Sequence, residues 1–343
     1  MAVQSSPSAP PSAAPRRTPS GNSPATSFLV LVLVNAMWAF QFSGAKVVTE
    51  SLGPIATAFV PLALSTLLFA PFLGIGKNRT WQKLSPLLLL GLLIIGTLGV
   101  VPAQWGLTWG VQHSLASNAS VITLTIPVLT AMMAAVLLHE KMTSLRWLSF
   151  ALAIAGVLIV SQADLRSADI FHGTYLFGNS LILASCLGSA LNNTYSKKLL
   201  EVLSPIELLV FSFLVSDIEL FALMMLFERS SWGRMFSLPI GAWMSLLGIA
   251  VFSLSISMML YFWVIQRIDV TQASLSIYLL PVFGVLFSAA ILHEKITFPL
   301  LAGGALVFVA TFLVTAYEER QKARAITTKP PDPLCAQAAT KVK

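Results

Sequence analysis

Residues 109–143 read WGVQHSLASNASVITLTIPVLTAMMAAVLLHEKMT, and residues 263–297 read WVIQRIDVTQASLSIYLLPVFGVLFSAAILHEKIT. Laid together without a gap at an offset of 154, twelve of the thirty-five positions are identical. They include Trp109/Trp263, Gln112/Gln266 and Pro127/Pro281. The run His139-Glu140-Lys141 falls on His293-Glu294-Lys295, and Thr143 on Thr297. Unrelated apolar helices would share about two to five positions through composition alone, so the match marks a duplication.

The rest of the chain continues in the same apolar register. Residues of the set AVILMFWYC make up 56% of the 343, charged residues 10%, and the mean hydropathy is +0.81. Soluble domains carry about 25% charged residues, so this chain lacks the polar surface a water-exposed globule needs. Disordered and fibrous classes are excluded by the same figures. A helix needs about 20 mostly apolar residues to cross a bilayer. Scanning at that length predicts ten spans: 27–46, 54–74, 85–109, 115–138, 145–162, 172–196, 205–227, 239–264, 271–292 and 299–317. Pro61, Pro102, Pro127 and Pro281 punctuate them, which membrane helices tolerate where neighbours satisfy the freed carbonyls.

Five spans separate equivalent points of the two copies, and an odd number of crossings turns the second copy upside down. The expected fold is therefore an all-α integral membrane protein of ten transmembrane helices in two inverted five-helix repeats, residues 27–162 and 172–317. A disordered Ser/Pro/Ala-rich leader (1–26) and a basic tail (318–343) flank them. Although the net charge is +7, Lys and Arg lie in the tails and in short gaps between spans, a membrane-topology pattern rather than a nucleic-acid one. With both termini cytoplasmic, sixteen of the basic residues fall inside and five (Lys46, Arg166, Arg229, Arg234, Lys295) outside, as the positive-inside rule requires.

Little in the sequence points to covalent chemistry. Cys186 and Cys335 form no motif, and His-Glu-Lys-x-Thr is not HExxH; no catalytic residues, metal set, cofactor or Walker motif is expected. Thr143 and Thr297 suit helix N-caps, and the preceding Glu is expected to favour the positive end of the helix that follows.

Interior polar residues are the informative ones. Trp38 lies eleven residues into the first span with Gln41 one turn on, suiting either a cavity or plain packing. Ser185, Ser189, Asn192 and Ser196 form a stripe widened by Asn193. A carboxamide facing lipid would cost several kcal/mol, so the stripe either tethers helices or lines a cavity. Gln104, Asn118, Tyr261, Gln272 and Tyr278 extend the polar set to other spans. The repeat pairs Asn118 with Gln272, while an offset of 152 sets Lys46 on Lys198 and Gln41 on Asn193. Together, Trp38, Gln41, Gln104, Asn118, Asn192, Asn193, Tyr261, Gln272 and Tyr278 are the candidate substrate-binding residues. Asp217 and Glu219 lie midway along the seventh span, where an ionised acid costs about 2.5–3.5 kcal/mol. They are either coupling groups or neutral carboxyls tied to a partner helix.

The opening Asn-Ala-Met-Trp-Ala-Phe (residues 35–40), the duplicated Pro…His-Glu-Lys-x-Thr block, Gly156 and Gly303-Gly304 resemble the EamA-like branch of the drug/metabolite transporter superfamily. The resemblance covers residues 28–316. It implies a bacterial inner-membrane secondary transporter with a central cavity, exporting amino acids or other metabolites by proton exchange or facilitation. The expected partners are a small neutral or zwitterionic solute, the lipid bilayer and protons, with no nucleic acid, and the protein is expected to be a monomer or homodimer. A scaffold or signalling protein without solute flux is the alternative, and a membrane enzyme a weaker one.

Overall fold

A computed structural model of the chain describes residues 24–74, 85–137, 144–160, 174–265 and 276–327. Every regular element among them is helical. The first half holds α1 (Pro24–Thr49), α2 (Pro54–Phe69, extended by a 3₁₀ turn to Gly74) and α3 (Pro86–Ile94). A π-helical segment, Ile95–Val100, carries α3 into α4 (Val101–Gln112). There follow α5 (Ala116–Ile122), a 3₁₀ turn Thr123–Thr125, α6 (Ile126–Leu137) and α7 (Ser144–Val160). The second half holds α8 (Thr174–Leu199), α9 (Pro205–Phe227), the short α10 (Arg229–Arg234) and α11 (Ile240–Gly248). A second π segment, Ile249–Ile256, leads into α12 (Ser257–Ile265); a 3₁₀ turn Ser276–Leu279, α13 (Leu280–Leu292) and α14 (Phe298–Thr327) complete it.

Helix occupies the described part of every predicted span. Five stretches are long and apolar enough to cross a membrane: Leu29–Thr49, Pro54–Leu73, Pro86–Gln112, Pro205–Phe227 and Ile240–Val264. Ala116–Thr130, Trp147–Val160, Leu280–Leu292 and Phe298–Ala310 are shorter apolar helices. The 26-residue α8 carries the Ser/Asn stripe, which lowers its hydropathy without interrupting the helix. The outer surface is strongly apolar: Leu87, Leu226, Phe227, Ile240 and Phe298 are all exposed. Contiguous apolar surface of this kind is a liability in water and suits lipid.

The duplication reappears in irregular backbone. The two π segments begin at Ile95 and Ile249, the same offset of 154 as the sequence repeat. Pro102, which lacks an N–H, follows the first. In the second, Ser253 donates to Met37 O of α1 and Ser257 donates back to Ser253 O, tying the irregular segment to the neighbouring helix and to its own preceding turn. Packing is likewise matched. The helix α4 crosses α8 while α12 crosses α1; α6 lies on α8 while α13 lies on α1; α2 packs on α9 and α7 on α14. Each of these contacts joins one half to the other.

Small residues allow the closest crossings, as expected where dispersion rather than water exclusion holds helices together. A Cβ on Gly178 would lie 2.7 Å from Gly110 O, and one on Gly303 would lie 2.6 Å from Gly156 O. Both contacts are with backbone, which cannot rotate away. Gly178→Ala should therefore lower the melting temperature of the detergent-purified protein by several degrees, the effect of about 1–3 kcal/mol of overpacking. Gly233→Ala, where nothing lies within 4 Å, should leave it unchanged.

Candidate functional site

The helix α1 is the axis of the site, because it touches α4 and α5 of its own half and α11, α12 and α13 of the other. Its polar residues fall three apart at Asn35, Trp38 and Gln41. Fully buried Asn35 donates from Nδ2 to Leu31 O at 2.8 Å and to Ser276 Oγ at 2.9 Å, reaching the 3₁₀ turn before α13. The half-buried Trp38 ring meets Tyr261 of α12 at 5.1 Å between centroids, tilted by 58°. Gln41 is buried and donates from Nε2 to Gln104 Oε1 of α4 at 2.6 Å. Four of the nine predicted binding residues, Trp38, Gln41, Gln104 and Tyr261, thus gather along the middle of α1. Trp105, beside Gln104, has a buried indole N–H without a partner among the described residues.

The remaining predicted residues are placed differently. Asn118 is buried one turn into α5 and donates to Ser114 Oγ at 3.3 Å; Ser114 in turn donates to Asn179 Oδ1 of α8. Asn192 is half-buried, accepts from Ser196 Oγ, and packs where Gly99 of the first π segment approaches α8. Asn193 is exposed, and Gln41 pairs with Gln104 of its own half rather than with it. Tyr278 lies in the 3₁₀ turn Ser276–Leu279, and Gln272 lies outside the described residues. Asp217 is buried and 2.6 Å from Thr66 Oγ1 of α2, whereas half-buried Glu219 accepts from Thr97 Oγ1 of the first π segment.

One end of the bundle is closed by charged groups that act on helix termini. The connection 113–115 leaves the C-terminal carbonyls of α4 and the N-terminal amides of α5 without helical partners. Lys46, in the last turn of α1, donates to Val111 O at 2.7 Å, Gln112 O at 3.3 Å and Ser114 O at 2.7 Å. Glu294 accepts from Ala116 N at 2.9 Å, Ser117 N at 3.0 Å and Ser117 Oγ at 2.6 Å. Both charges match the local helix dipole. A second carboxylate, Glu228, accepts from Ile55 N and Ala56 N of α2, both at 3.0 Å. Neither α2 nor α5 has a side-chain cap of its own. Two helices of the first half are therefore capped by acids of the second. Gly53 makes room for one of them, since a Cβ there would lie 2.2 Å from the Glu228 carboxylate.

This corrects the expected role of Glu294, which caps α5 rather than the following helix. His293 adopts a left-handed conformation (φ 55°), and the amide of Glu294 bonds back to Ser288 O at 3.3 Å. That reversal turns the carboxylate away from α14. His is enriched at left-handed positions among non-glycine residues, which accounts for its place in the motif. Thr297 does cap α14, accepting from Leu300 N at 3.4 Å. The first copy of the motif, residues 138–143, lies outside the described residues. Among the described residues no His/Cys/Asp/Glu group could hold a metal ion.

Asn35, Thr66 and Glu228 were not singled out in the sequence. Asn35 had a signal, being an interior carboxamide six residues before Gln41; Glu228 had none, because its target lies 172 residues away.

A model of the EamA-like transporter family matches the chain twice, over residues 25–162 and 176–316. The chain belongs to the EamA-like transporter family. Within this drug/metabolite transporter group it is similar to an uncharacterized transporter of Archaeoglobus fulgidus, 24% identical over 287 residues, covering 84% of this chain and 98% of that one. It is also 24% identical over 306 residues to the uncharacterized transporter YoaV of Bacillus subtilis, covering 86% and 98%. A probable terminal-alkyne amino-acid exporter of Streptantibioticus cattleyicolor is 24% identical over 285 residues, covering 83% and 91%. A solved crystal structure shares the fold with a TM-score of 0.59 at 15% identity, over 86% of this chain and 99% of that chain.

Lys46 and Glu294 act on the two sides of one connection, so their effects should not add. Lys46→Met and Glu294→Gln should each cost about 1–2 kcal/mol of stability, comparable to a lost charged cap. The double variant should lose less than the sum. Thermal denaturation of the four proteins checks this.

Proposed function

We propose that the protein is a secondary transporter that exports a small neutral or zwitterionic, amino-acid-like solute across a bacterial inner membrane. It does so by alternating access of two inverted five-helix repeats with both termini cytoplasmic. The observation that carries the reading is the group on α1, where the Gln41–Gln104 pair and the Trp38–Tyr261 contact adjoin at mid-helix. A solute site needs a few fixed polar groups among apolar and aromatic walls, because the polar groups orient the ligand. The helices around this site contribute carboxamides, hydroxyls and indoles but no Lys or Arg at mid-span, which suits uncharged or zwitterionic solutes better than polyanions.

The inverted arrangement is supported by the matched π segments, the paired helix crossings, and a family model that matches once per half. Alternation is supported by the Lys46 end, where Glu228 and Glu294 of one half hold helices of the other. In this reading that end faces the periplasm and is shut, so the solute is loaded from the cytoplasm. Export agrees with the Streptantibioticus relative's description as a probable amino-acid exporter. Asn118 then lies nearer an end of the pathway and Asn192 nearer its middle, while exposed Asn193 contributes only if its helix face borders water.

Counterflow of radiolabelled neutral amino acids in proteoliposomes tests the site. Gln41→Leu removes a carboxamide that would bond the solute while half-buried Gln104 can be re-solvated, and the loss of one such solute bond, about 1.4 kcal/mol of binding, predicts about tenfold slower counterflow. Yield and melting temperature should stay near wild type. Normal counterflow by Gln41→Leu would remove the α1 group from the pathway.

A further inference from the structure

The structure assigns a proton-binding site to Asp217, held as a neutral carboxylic acid against Thr66 at the centre of the α2–α9 interface. Only its link to solute flux rests on the transporter reading. Asp217 is 8% exposed, and its Oδ1 has no hydrogen-bond partner among the described residues. The elements that pack on α9 within the bundle are α2, the turn 70–74, α3, the first π segment, α4 and α12. None of them contains a Lys, Arg or His. The short α10 also touches α9 and carries Arg229 and Arg234, but it starts twelve residues beyond Asp217, about 18 Å along the helix. Arg234 is occupied there with Ser51 O and Ser231 Oγ. The nearest other titratable group in the sequence of α9 is Glu219, an acid that would oppose a second negative charge. Among the described residues, an ionised Asp217 would thus be a buried anion with one donor and no counter-ion, the arrangement proteins avoid most strongly.

Hydrogen-bond arithmetic reaches the same protonation state. The hydroxyl oxygen of Thr66 lies 3.1 Å from Leu62 O and 2.6 Å from Asp217 Oδ2. A threonine hydroxyl has a single proton, and a backbone carbonyl has none to give. A carboxylic acid serves both contacts fully, with Asp217 O–H donating to Thr66 Oγ1 and Thr66 O–H to Leu62 O, whereas an ionised one leaves two acceptors to share the single Thr66 proton. Protonation forms one O–H bond on the carboxylate with a proton taken from water, and release returns it; no other bond changes.

The location gives the proton leverage. Aligning the helix starts Pro54 and Pro205 sets Ser65 on Ser216 and Thr66 on Asp217, so equivalent positions of the two halves meet here. Ser65 pairs with Ser255 of the second π segment at 2.8 Å, and Ser216 donates to Gly96 O of the first at 3.2 Å. One proton therefore sits where α2, α9 and both π segments join. Its loss leaves a bare anion in that joint, which is relieved when the joint opens to water, so proton occupancy biases the packing of the two halves.

Infrared spectroscopy of the purified full-length protein tests the assignment without any solute. Wild type at neutral pH should show the C=O stretch of a protonated carboxylic acid. The band should vanish in Asp217→Asn, whose amide can still donate to Thr66, and persist in Glu219→Gln. Thr66→Val should retain the band at higher wavenumber, since the acid loses its hydrogen-bond acceptor; this variant decides the matter if Asp217→Asn does not fold. A band unchanged in Asp217→Asn, or missing from wild type, would overturn the proposal while leaving the transport reading to its own counterflow test.

Discussion

Within hydrocarbon, every polar group must find its partner inside the protein, because no water is present to supply one. The rest of this structure follows from that constraint. Long stretches of α-helix satisfy their own backbones, so they can carry Leu and Phe outward. At several interruptions of the helical ladder a specific group steps in. Ser253 ties the second π segment to α1, and Ser257 donates to Ser253 O within it. Lys46 and Glu294 take up the freed bonds at the break between α4 and α5, and Glu228 at the start of α2. The costliest groups, Asn35, Gln41 and Asp217, all bond other helices, and Asn35 and Asp217 do so across the two halves.

That distribution joins architecture to mechanism. A helix terminus capped by its own chain neighbour is stable whatever the other half does, as with Ser204 and Glu207 at the start of α9. A terminus capped by a carboxylate from the other half depends on the two halves staying together. Both α2 and α5 are of the second kind at the Lys46 end. Separating the halves there exposes helix amides and acids together, and water can solvate both. In the proposed alternating-access cycle such contacts would hold one state and be released in the other, as a bistable interface requires.

Much of this was legible in the sequence because the bilayer makes hydropathy informative. The spans coincide with helices wherever residues are described, and the offset of 154 that aligns WGVQ with WVIQ also aligns the π segments. The stripe on α8 was visible as spacing alone. What spacing does not reveal is the partner. Gln41 could have met Asn193 by repeat symmetry, but α4 lies closer to that face of α1 and supplies Gln104. Sequence proximity points Glu294 at the next helix; the left-handed turn at His293 sends it to a helix 178 residues earlier. Thr66 carries no signal of its own, being one of three hydroxyls in an otherwise apolar helix until α9 places an acid against it.

The central claim is that two halves of one plan lie in the membrane with opposite orientation, with the Lys46 end outside. Membrane-impermeant thiol labelling of intact cells, on single-cysteine variants of a cysteine-free chain, measures this directly. Cysteine at Arg229, beside the Glu228 cap, and at Lys295, beside the Glu294 cap, should label from outside. Cysteine at Arg79 or Lys198 should label only after the cells are opened. Labelling of the Arg229 and Arg79 positions, which follow equivalent spans of the two halves, from the same side would contradict the inverted arrangement.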